Sequence, residues 1–388
     1  MGQGNCSVPL FGNDSLSRRQ KIRICIDTRK LNEATKESFF PLPNIDEIFH
    51  RIGPNITYYS VVDLASSFNQ ILLDEDASNK CAFTVGQNRY QYKRMPFGLT
   101  SAPFTFQRLM SMVLAGLDPT LRVFCYLDDC IVATRCLQSH VTALGALFAC
   151  LREHNLKVQP DKVDFFKQSV SFLGHIISRQ GLECCPNKVA ALVQTRPPQD
   201  VKELRRFLGA ASYLRKFIAG FSIIAKNLFD LLKKDREYVW TEKCNESFQK
   251  LKVALTNAPV LVHPDLSEGA PPLIVTTDAA PSGGLACVLS QGPSVGQDRP
   301  ICYLSRTLNG PEKNYPSIHL EALALVWALT SLRPYLYARP FILVTDCKPL
   351  IFLKSAPMNN ASNHYIQEMK MRMRTTWQLA RSNVLKRK

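Results

Sequence analysis

Asp128 and Asp129 stand side by side in VFCYLDDCIVAT (123–134), with apolar residues on both flanks. Carboxylates held this close to apolar surroundings are costly unless paired or metal-bound. The metal solution makes chemical sense: a compact set of carboxylate oxygens suits two Mg2+ ions that stabilise the attacking and leaving oxygens of phosphoryl transfer. A third acid has to come from another element, and Asp63, in YYSVVDL (58–64), matches that need. The same residues equally fit a surface Asp-Asp turn with Asp63 capping a helix. A second set of separated acids, Asp278, Glu321 and Asp346, lies far downstream. Taken singly, each is an ordinary cap or surface group. Converging at one sheet edge, they would bind two metals and activate water against a phosphodiester.

The elements around these acids follow from periodicity. IRICID (22–27) and YYSVVDL alternate as strands, and prolines 41 and 43 hold the intervening chain extended around a short helix. CAFTV (81–85) and YQYKRM (90–95) flank a GQNR turn and predict a hairpin. Pro103 suits the first turn of a helix over 102–115. The Asp128-Asp129 segment predicts strand, tight turn and returning strand. A helix is expected over 139–154, capped by Ser139, with Ala143, Leu144, Leu147, Phe148 and Leu151 inward. KVDFFKQSVSFLGHIISRQG is β-rich. From 187 to 254 the pattern is helical, with Leu204, Leu208, Ala211, Leu214 and Ile218 on one stripe. After the linker HPDLSEGAPP come three strands, a helix over about 317–333 and the strand FILVTD, a β-β-β-α-β mixed domain. The basic tail shows no clear partner element.

The chain has 388 residues, room for two or three domains, and 46% hydrophobic residues, enough for substantial cores. Its formal charge of +16 suggests an anionic partner, nucleic acid above all, although a basic surface can simply aid solubility. No uncharged apolar run reaches the roughly 18 residues of a membrane span. The first residues lack the pattern of a secretory signal. The Met1-Gly2 start lacks the hydroxyl residue that myristoylation wants, Cys6 standing there. Thirteen cysteines show no CxxC spacing, which points to free thiols and a reducing compartment.

Read in order, IDTRKLN (26–32), FPLPNIDEI (40–48), VVDLASSFNQI (61–71), KCAF (80–83), YQYKRMPFGLTSAPFTFQRLM (90–110), VFCYLDDCIVAT (123–134), LKVQPDKVDFF (156–166), FLGHIIS (172–178) and VKELRRFLGAASYLRKFIAGFS (201–222) closely resemble the reverse transcriptases of gypsy-type long-terminal-repeat retrotransposons. The resemblance runs from about residue 22 to about 355. It implies an α+β fold: right-hand polymerase palm and fingers (22–182), a helical thumb and connection (183–257), and a mixed α/β ribonuclease H-like domain (258–355), between a poorly defined start (1–21) and a basic tail (356–388).

The implied activity is RNA-directed DNA synthesis on an RNA or DNA template with primer, using deoxynucleoside triphosphates and Mg2+, with Mn2+ as a substitute. Asp63, Asp128 and Asp129 are the implied metal carboxylates. Phe68 matches an aromatic residue beneath the incoming sugar, whose ring would clash with a 2′-hydroxyl. Gln107 matches a glutamine near nucleotide and template. Arg29, Lys30 and Lys80 lie where the family places basic fingers residues that meet the triphosphate. Arg205, Arg206, Arg215 and Lys216 suit grip on a duplex.

Asp278, Glu321 and Asp346 match the ribonuclease H acids, acting on an RNA/DNA hybrid. Two departures stand out: no aspartate follows Asp346, and Cys347 replaces the relatives' usual histidine. The ribonuclease H site is therefore expected to be incomplete, and the fingers short at the amino end. These departures leave two readings open, an active reverse transcriptase and an inactive retroelement remnant that binds nucleic acid. No membrane partner is implied, the family's usual setting is cytoplasmic particles, and oligomeric state is not implied.

Overall fold

Short polar caps and apolar strands alternate along the first half of the chain, and the backbone follows them. The computed structural model describes residues 26–36, 39–234, 236–281, 283–347 and 350, together with the backbone of 382–386. Two compact units result, Met1–Leu173 and Gly174–Lys388.

In the first unit, α1 (Arg29–Ala34) and α2 (Ile45–Ile52) precede β1 (Tyr58–Asp63). Asn44 caps α2 by accepting the N–H of Asp46, and Ile48, Phe49 and Ile52 form its buried face. Then come α3 (Glu75–Lys80), capped by Asp74, the hairpin β2 (Ala82–Val85) and β3 (Asn88–Gln91), and α4 (Ala102–Leu114). The hairpin turn is tighter than GQNR: only Gly86 and Gln87 lie between the strands, and Gly86 takes φ 63°. The strands β4 (Val123–Tyr126) and β5 (Asp129–Thr134) lead to α5 (Leu137–Glu153), followed by β6 (Asp164–Lys167) and β7 (Ser169–Phe172).

The central sheet has the order β4-β5-β1-β6, all neighbours antiparallel. One face is covered by α4 and α5, with Val62, Leu64, Phe106, Met110, Val132, Ala143, Leu144 and Leu147 in a single buried cluster. The inward residues expected for α5 are those that pack, but its cap is not Ser139. The chain turns directly out of β5, so Cys136 occupies the cap position, and the Ser139 hydroxyl donates back to the Cys136 carbonyl at 2.9 Å. Of the strand expected over 22–27, residues 22–25 lie outside the described residues, and Ile26–Thr28 are not strand.

The second unit opens with the hairpin β8 (His175–Ser178) and β9 (Gly181–Cys184). The helices α6 (Pro186–Gln194), α7 (Val201–Tyr213), α8 (Phe221–Ile224), α9 (Lys226–Asp230) and α10 (Glu242–Thr256) follow. A reciprocal cap starts α7: Asp200 accepts the N–H of Glu203, and Glu203 accepts that of Gln199. The stripe from Leu204 to Ile218 is buried throughout, yet α7 ends at Tyr213 and a 3-10 turn carries the chain to Ile218.

Next come β10 (Leu273–Ala280), β11 (Gly284–Gln291), β12 (Arg299–Arg306), α11 (Ser317–Ser331), α12 (Arg333–Leu336), β13 (Phe341–Thr345) and β14 (Ser382–Lys386). Their sheet has the order β12-β11-β10-β13-β14, antiparallel on one side and parallel from β10 to β14. The tail therefore does have a partner element, β13. The helical block and this sheet, expected as separate domains, belong to one unit. The Arg215 guanidinium donates to the Ser305 carbonyl at 2.8 Å, and Ser222 bonds the same residue twice.

Candidate active site

The register of the first sheet places Asp63 directly opposite Asp129. A hairpin loop of two residues, Leu127 and Asp128, joins β4 to β5. Leu127 has φ 54°, a left-handed conformation that costs a leucine about 1 kcal/mol. Three contacts hold it there. Its N–H donates to Gln107 Oε1 at 2.8 Å, its carbonyl accepts the Cys125 thiol at 3.0 Å, and the Asp128 carbonyl accepts the N–H of Leu64 at 3.0 Å. Ser67 donates its hydroxyl to Asp128 Oδ2 at 3.3 Å. All three acids are thus brought together at one end of the sheet, and the turn is neither a loose surface turn nor a helix cap.

Crowding has an electrostatic consequence. Burial, then Asp128 and Asp63, push the Asp129 carboxyl up to about 6. Lys162, from the segment after α5, offsets part of this by donating to Asp63 Oδ2 at 2.9 Å. Lys162 lies in LKVQPDKVDFF, where no local pattern marks it, because its partner is 99 residues away. Among the described residues no three acidic, histidine or cysteine side chains are gathered closely enough to chelate an ion as they stand. The donor set nonetheless fits a hard divalent cation: oxygen ligands only, with more negative charge than one ammonium neutralises. The ammonium and such a cation would share Asp63. Lys162→Met is therefore expected to tighten Mn2+ binding by about three- to tenfold in calorimetric titration. Weaker binding in the variant would show that Lys162 organises the acids instead of competing for them.

Beside the acids, Phe68 rides on a 3-10 turn (Ser67–Gln70) and packs edge-on against Phe97 at 5.5 Å and Phe106 at 6.0 Å. Phe97 belongs to MPFG, whose glycine is dictated by space as well as backbone. Gly98 has φ 103°, and a Cβ there would lie 2.9 Å from the Thr28 hydroxyl. That hydroxyl and the Asn32 amide both donate to the Gly98 carbonyl, so IDTRKLN docks onto MPFGLTS.

The same docking sets Arg29 and Lys30 at the start of α1, both exposed. Arg29 is held bidentate by Asp27, the shorter contact 2.6 Å, and Lys80 pairs with Asp76 one turn earlier on α3. Gln107, expected near nucleotide and template, is buried, and its amide oxygen accepts the Leu127 N–H of the β4–β5 loop. Of the basic residues proposed to grip a duplex, Arg205 and Arg206 are exposed on α7, Arg215 is tied to Ser305, and Lys216 lies over the Phe217 ring.

The second set of acids gathers on the other sheet. In the parallel pairing of β10 with β13, Thr276 stands opposite Val344. Asp278 lies two residues further along β10, and Asp346 follows the last residue of β13. Glu321 reaches them from α11. Burial, then Asp346 and Asp278, raise its carboxyl to about 7, and its Oε2 is buried without a hydrogen-bond partner. Asp278 lies within β10, two residues before its end. Because the folded pKa of Glu321 exceeds its unfolded value of 4.5, the ionised group destabilises the fold fully above about pH 7 and not at all below pH 4.5. Glu321→Gln should therefore raise the melting temperature by roughly 2–4 °C at pH 8 in chelator, allowing for partial solvation. No gain is expected at pH 4. A gain of equal size at both pH values would show that charge crowding is not the cause.

Residues 13–177 match the family model for reverse transcriptase (RNA-dependent DNA polymerase), and residues 240–343 match that for the RNase H-like domain found in reverse transcriptase. The Pol polyprotein of the Drosophila melanogaster transposon 297 is 42% identical over 341 residues, covering 87% of this chain and 31% of the polyprotein. The chain belongs to the gypsy-type long-terminal-repeat retrotransposon Pol family. The Pol polyprotein of the Drosophila transposon gypsy itself is 36% identical, covering 90% of the chain and 34% of that protein. A Tf2-3 polyprotein of Schizosaccharomyces pombe is 31% identical, over 85% and 24%. This gypsy-type chain thus spans about a third or less of the length of these relatives.

Its fold is that of the foamy viral protease-reverse transcriptase. The dRH form of that protein in complex with double-stranded DNA superposes with a TM-score of 0.79 at 20% identity, covering 96% of this chain and 64% of the other. The RNA/DNA hybrid complex gives 0.71 at 20% identity, over 95% and 49%. The architecture is accordingly palm, fingers and thumb followed by a mixed α/β RNase H-like domain. Divalent-metal catalysis is the chemistry of this family. No helix among the described residues is long and apolar enough to cross a membrane.

Proposed function

We propose that the gypsy-type chain extends a primer on an RNA or DNA template with deoxynucleotides, and that Asp63, Asp128 and Asp129 form its catalytic centre. The observation that carries this reading is the register: Asp63 opposite Asp129 across β1 and β5, with Asp128 on the strained loop between β4 and β5. Mg2+ or Mn2+ bound by these three carboxylates would supply Lewis acidity at the phosphoryl oxygens.

The chain's own residues do the rest. The primer 3′-hydroxyl attacks the α-phosphorus of the incoming triphosphate, the P–O bond to the β-phosphate breaks, and pyrophosphate leaves. Asp63 and Asp128 would be the firmer contacts to the metal, with Asp129 the companion acid that adds charge beside them. Phe68, backed by Phe97 and Phe106, presents a ring where a 2′-hydroxyl would fall. Arg29, Lys30 and Lys80 stand at the fingers side. Their present carboxylate partners for Arg29 and Lys80 are exposed, which leaves either cation exchangeable for a triphosphate. Contacts to template and primer are expected mainly along the backbone and to weaken with salt. The foamy viral structures that share this fold hold double-stranded DNA and an RNA/DNA hybrid, which supports the same partners here.

The second set, Asp278, Glu321 and Asp346, would hold a metal beside the RNA strand of a hybrid, as an incomplete ribonuclease H set with no aspartate after Asp346. The orphaned Glu321 Oε2 supports a cation at that place.

Deoxynucleotide incorporation by the purified chain on a primed RNA template, with Mg2+ or Mn2+, tests the reading. Extension that disappears in Asp128→Ala/Asp129→Ala is the expected result. A folded chain that binds the duplex without extending it would instead favour a nucleic-acid-binding remnant.

A further inference from the structure

The turn that carries Phe68 is closed by one side chain. Gln70 donates its amide N–H groups to the Ala65 carbonyl at 2.7 Å and to the Lys157 carbonyl at 2.9 Å, while its Oε1 accepts the Lys157 N–H at 2.6 Å. The Ala65 N–H donates to the same Lys157 carbonyl at 2.9 Å. One residue of the segment after α5, Lys157, is therefore gripped on both its backbone N–H and its backbone C=O, which belong to two consecutive peptides. Between Ala65 and Gln70 lie Ser66 in a left-handed conformation with φ 49°, Ser67 bonded to Asp128, and Phe68. On the far side, Arg94 Nη1 donates to the Gln70 carbonyl at 2.9 Å, and the Ile71 carbonyl accepts the Met95 N–H. Arg94 and Met95 fix where the turn ends, whereas Gln70 fixes how it closes.

We propose that Gln70 is a positioning residue for sugar discrimination, setting the height of the Phe68 ring over the nucleotide. The inference rests on the reading of Phe68 as the residue that excludes a 2′-hydroxyl. Steric exclusion of one hydroxyl depends on ring placement to a fraction of an ångström, while attack on the α-phosphorus depends chiefly on the acids of β1 and the β4–β5 loop. Without the Gln70 clip, the left-handed Ser66 is free to relax and the 3-10 turn to open away from Lys157. Discrimination then falls further than catalysis. Sequence spacing alone gives no hint of this, because two of the three bonds run to the backbone of a residue 87 positions away.

Single-nucleotide incorporation by the full chain, with a deoxynucleotide and its ribonucleotide competing on a primed template, provides the test. Both are also titrated onto a chain-terminated primer, which gives the same ratio without turnover. Phe68→Ala should lose most of the deoxy preference. Gln70→Met should lower it by about tenfold or more, through a lower KM for the ribonucleotide, with a smaller loss in deoxynucleotide use. Gln70→Glu retains the acceptor for the Lys157 N–H but neither donor, and should fall between wild type and Gln70→Met; it also serves should the methionine variant not fold. In Phe68→Ala/Gln70→Met the preference should drop no lower than in Phe68→Ala. An unchanged ratio in both Gln70 variants, beside a reduced one in Phe68→Ala, overturns the positioning role and leaves the ring's role standing. Equal losses for both nucleotides would mark Gln70 as structural only and likewise overturn it. An unchanged ratio in Phe68→Ala removes the reading on which the inference rests.

Discussion

Asp63→Asn should lower deoxynucleotide incorporation by about 10³-fold or more while moving the melting temperature by less than about 2 °C. The two expectations separate because Asp63 has different partners in the two processes. For chemistry it is the acid of β1 that faces Asp129 across the sheet, and an amide oxygen in its place carries no charge to hold a divalent cation. For stability its main partner is Lys162, a side chain that is 64% exposed, and pairs of that kind contribute little in water. Removing the charge also relieves Asp129, whose carboxyl is raised partly by Asp63, so the small loss and the small gain offset each other. Incorporation rates and melting curves on the same preparation check both halves. Activity within tenfold of wild type would remove Asp63 from the catalytic centre, and a large drop in melting temperature would make lost activity a folding effect.

The second large effect is expected at a residue that holds the β4–β5 loop. Gln107→Met keeps the volume of the buried side chain but leaves the Leu127 N–H without its acceptor. An unpaired buried N–H costs about 1–3 kcal/mol, and Leu127 already holds a left-handed backbone. The cheapest response is for the two-residue loop to change conformation, which moves Asp128 and Asp129 together. A fall in kcat of about 10²-fold is expected, with a smaller change in KM. Adding Leu127→Gly should recover part of kcat, since glycine adopts positive φ without the penalty. If Gln107→Met kept kcat within about threefold, the loop would not depend on that bond. If the glycine gave no recovery, strain in the loop would not be the route by which the loss arises.

Much of this was visible in the residues themselves. Apolar alternation located β1, β4, β5 and the sheet of the second unit, and the acids between apolar flanks marked the end of the first sheet. Resemblance to gypsy-type polymerases then joined Asp63 to Asp128 and Asp129, something spacing alone left open. What escaped notice has a common physical character. The bond that Gln107 makes, and the parts of Gln70 and Lys162, fall on a backbone N–H, on the backbone N–H and C=O of one residue, and on a carboxylate, each brought near only by folding. Composition says nothing about such partners, and a glutamine bonded to backbone looks like any other. Ser139 was a reasonable cap by type, but the abrupt exit from β5 started the helix two residues earlier. The final strand was missed because a short basic tail lacks the alternation of an internal strand, and parallel pairing with β13 is decided by the partner.

That last strand bears on how the chain is made. While β14 is unsynthesised, β13 is the outermost strand of its sheet, and Phe341–Thr345 reads FILVT, apolar but for its last residue. An unpaired edge of this composition is a template for another chain. At ordinary ribosomal speeds of about 5–20 residues per second, it stays open for some seconds before its cover arrives. On a polysome, neighbouring nascent chains would carry the same open edge at the same time. Yield should therefore depend on translation speed and on chaperones more steeply than the finished protein's stability would suggest.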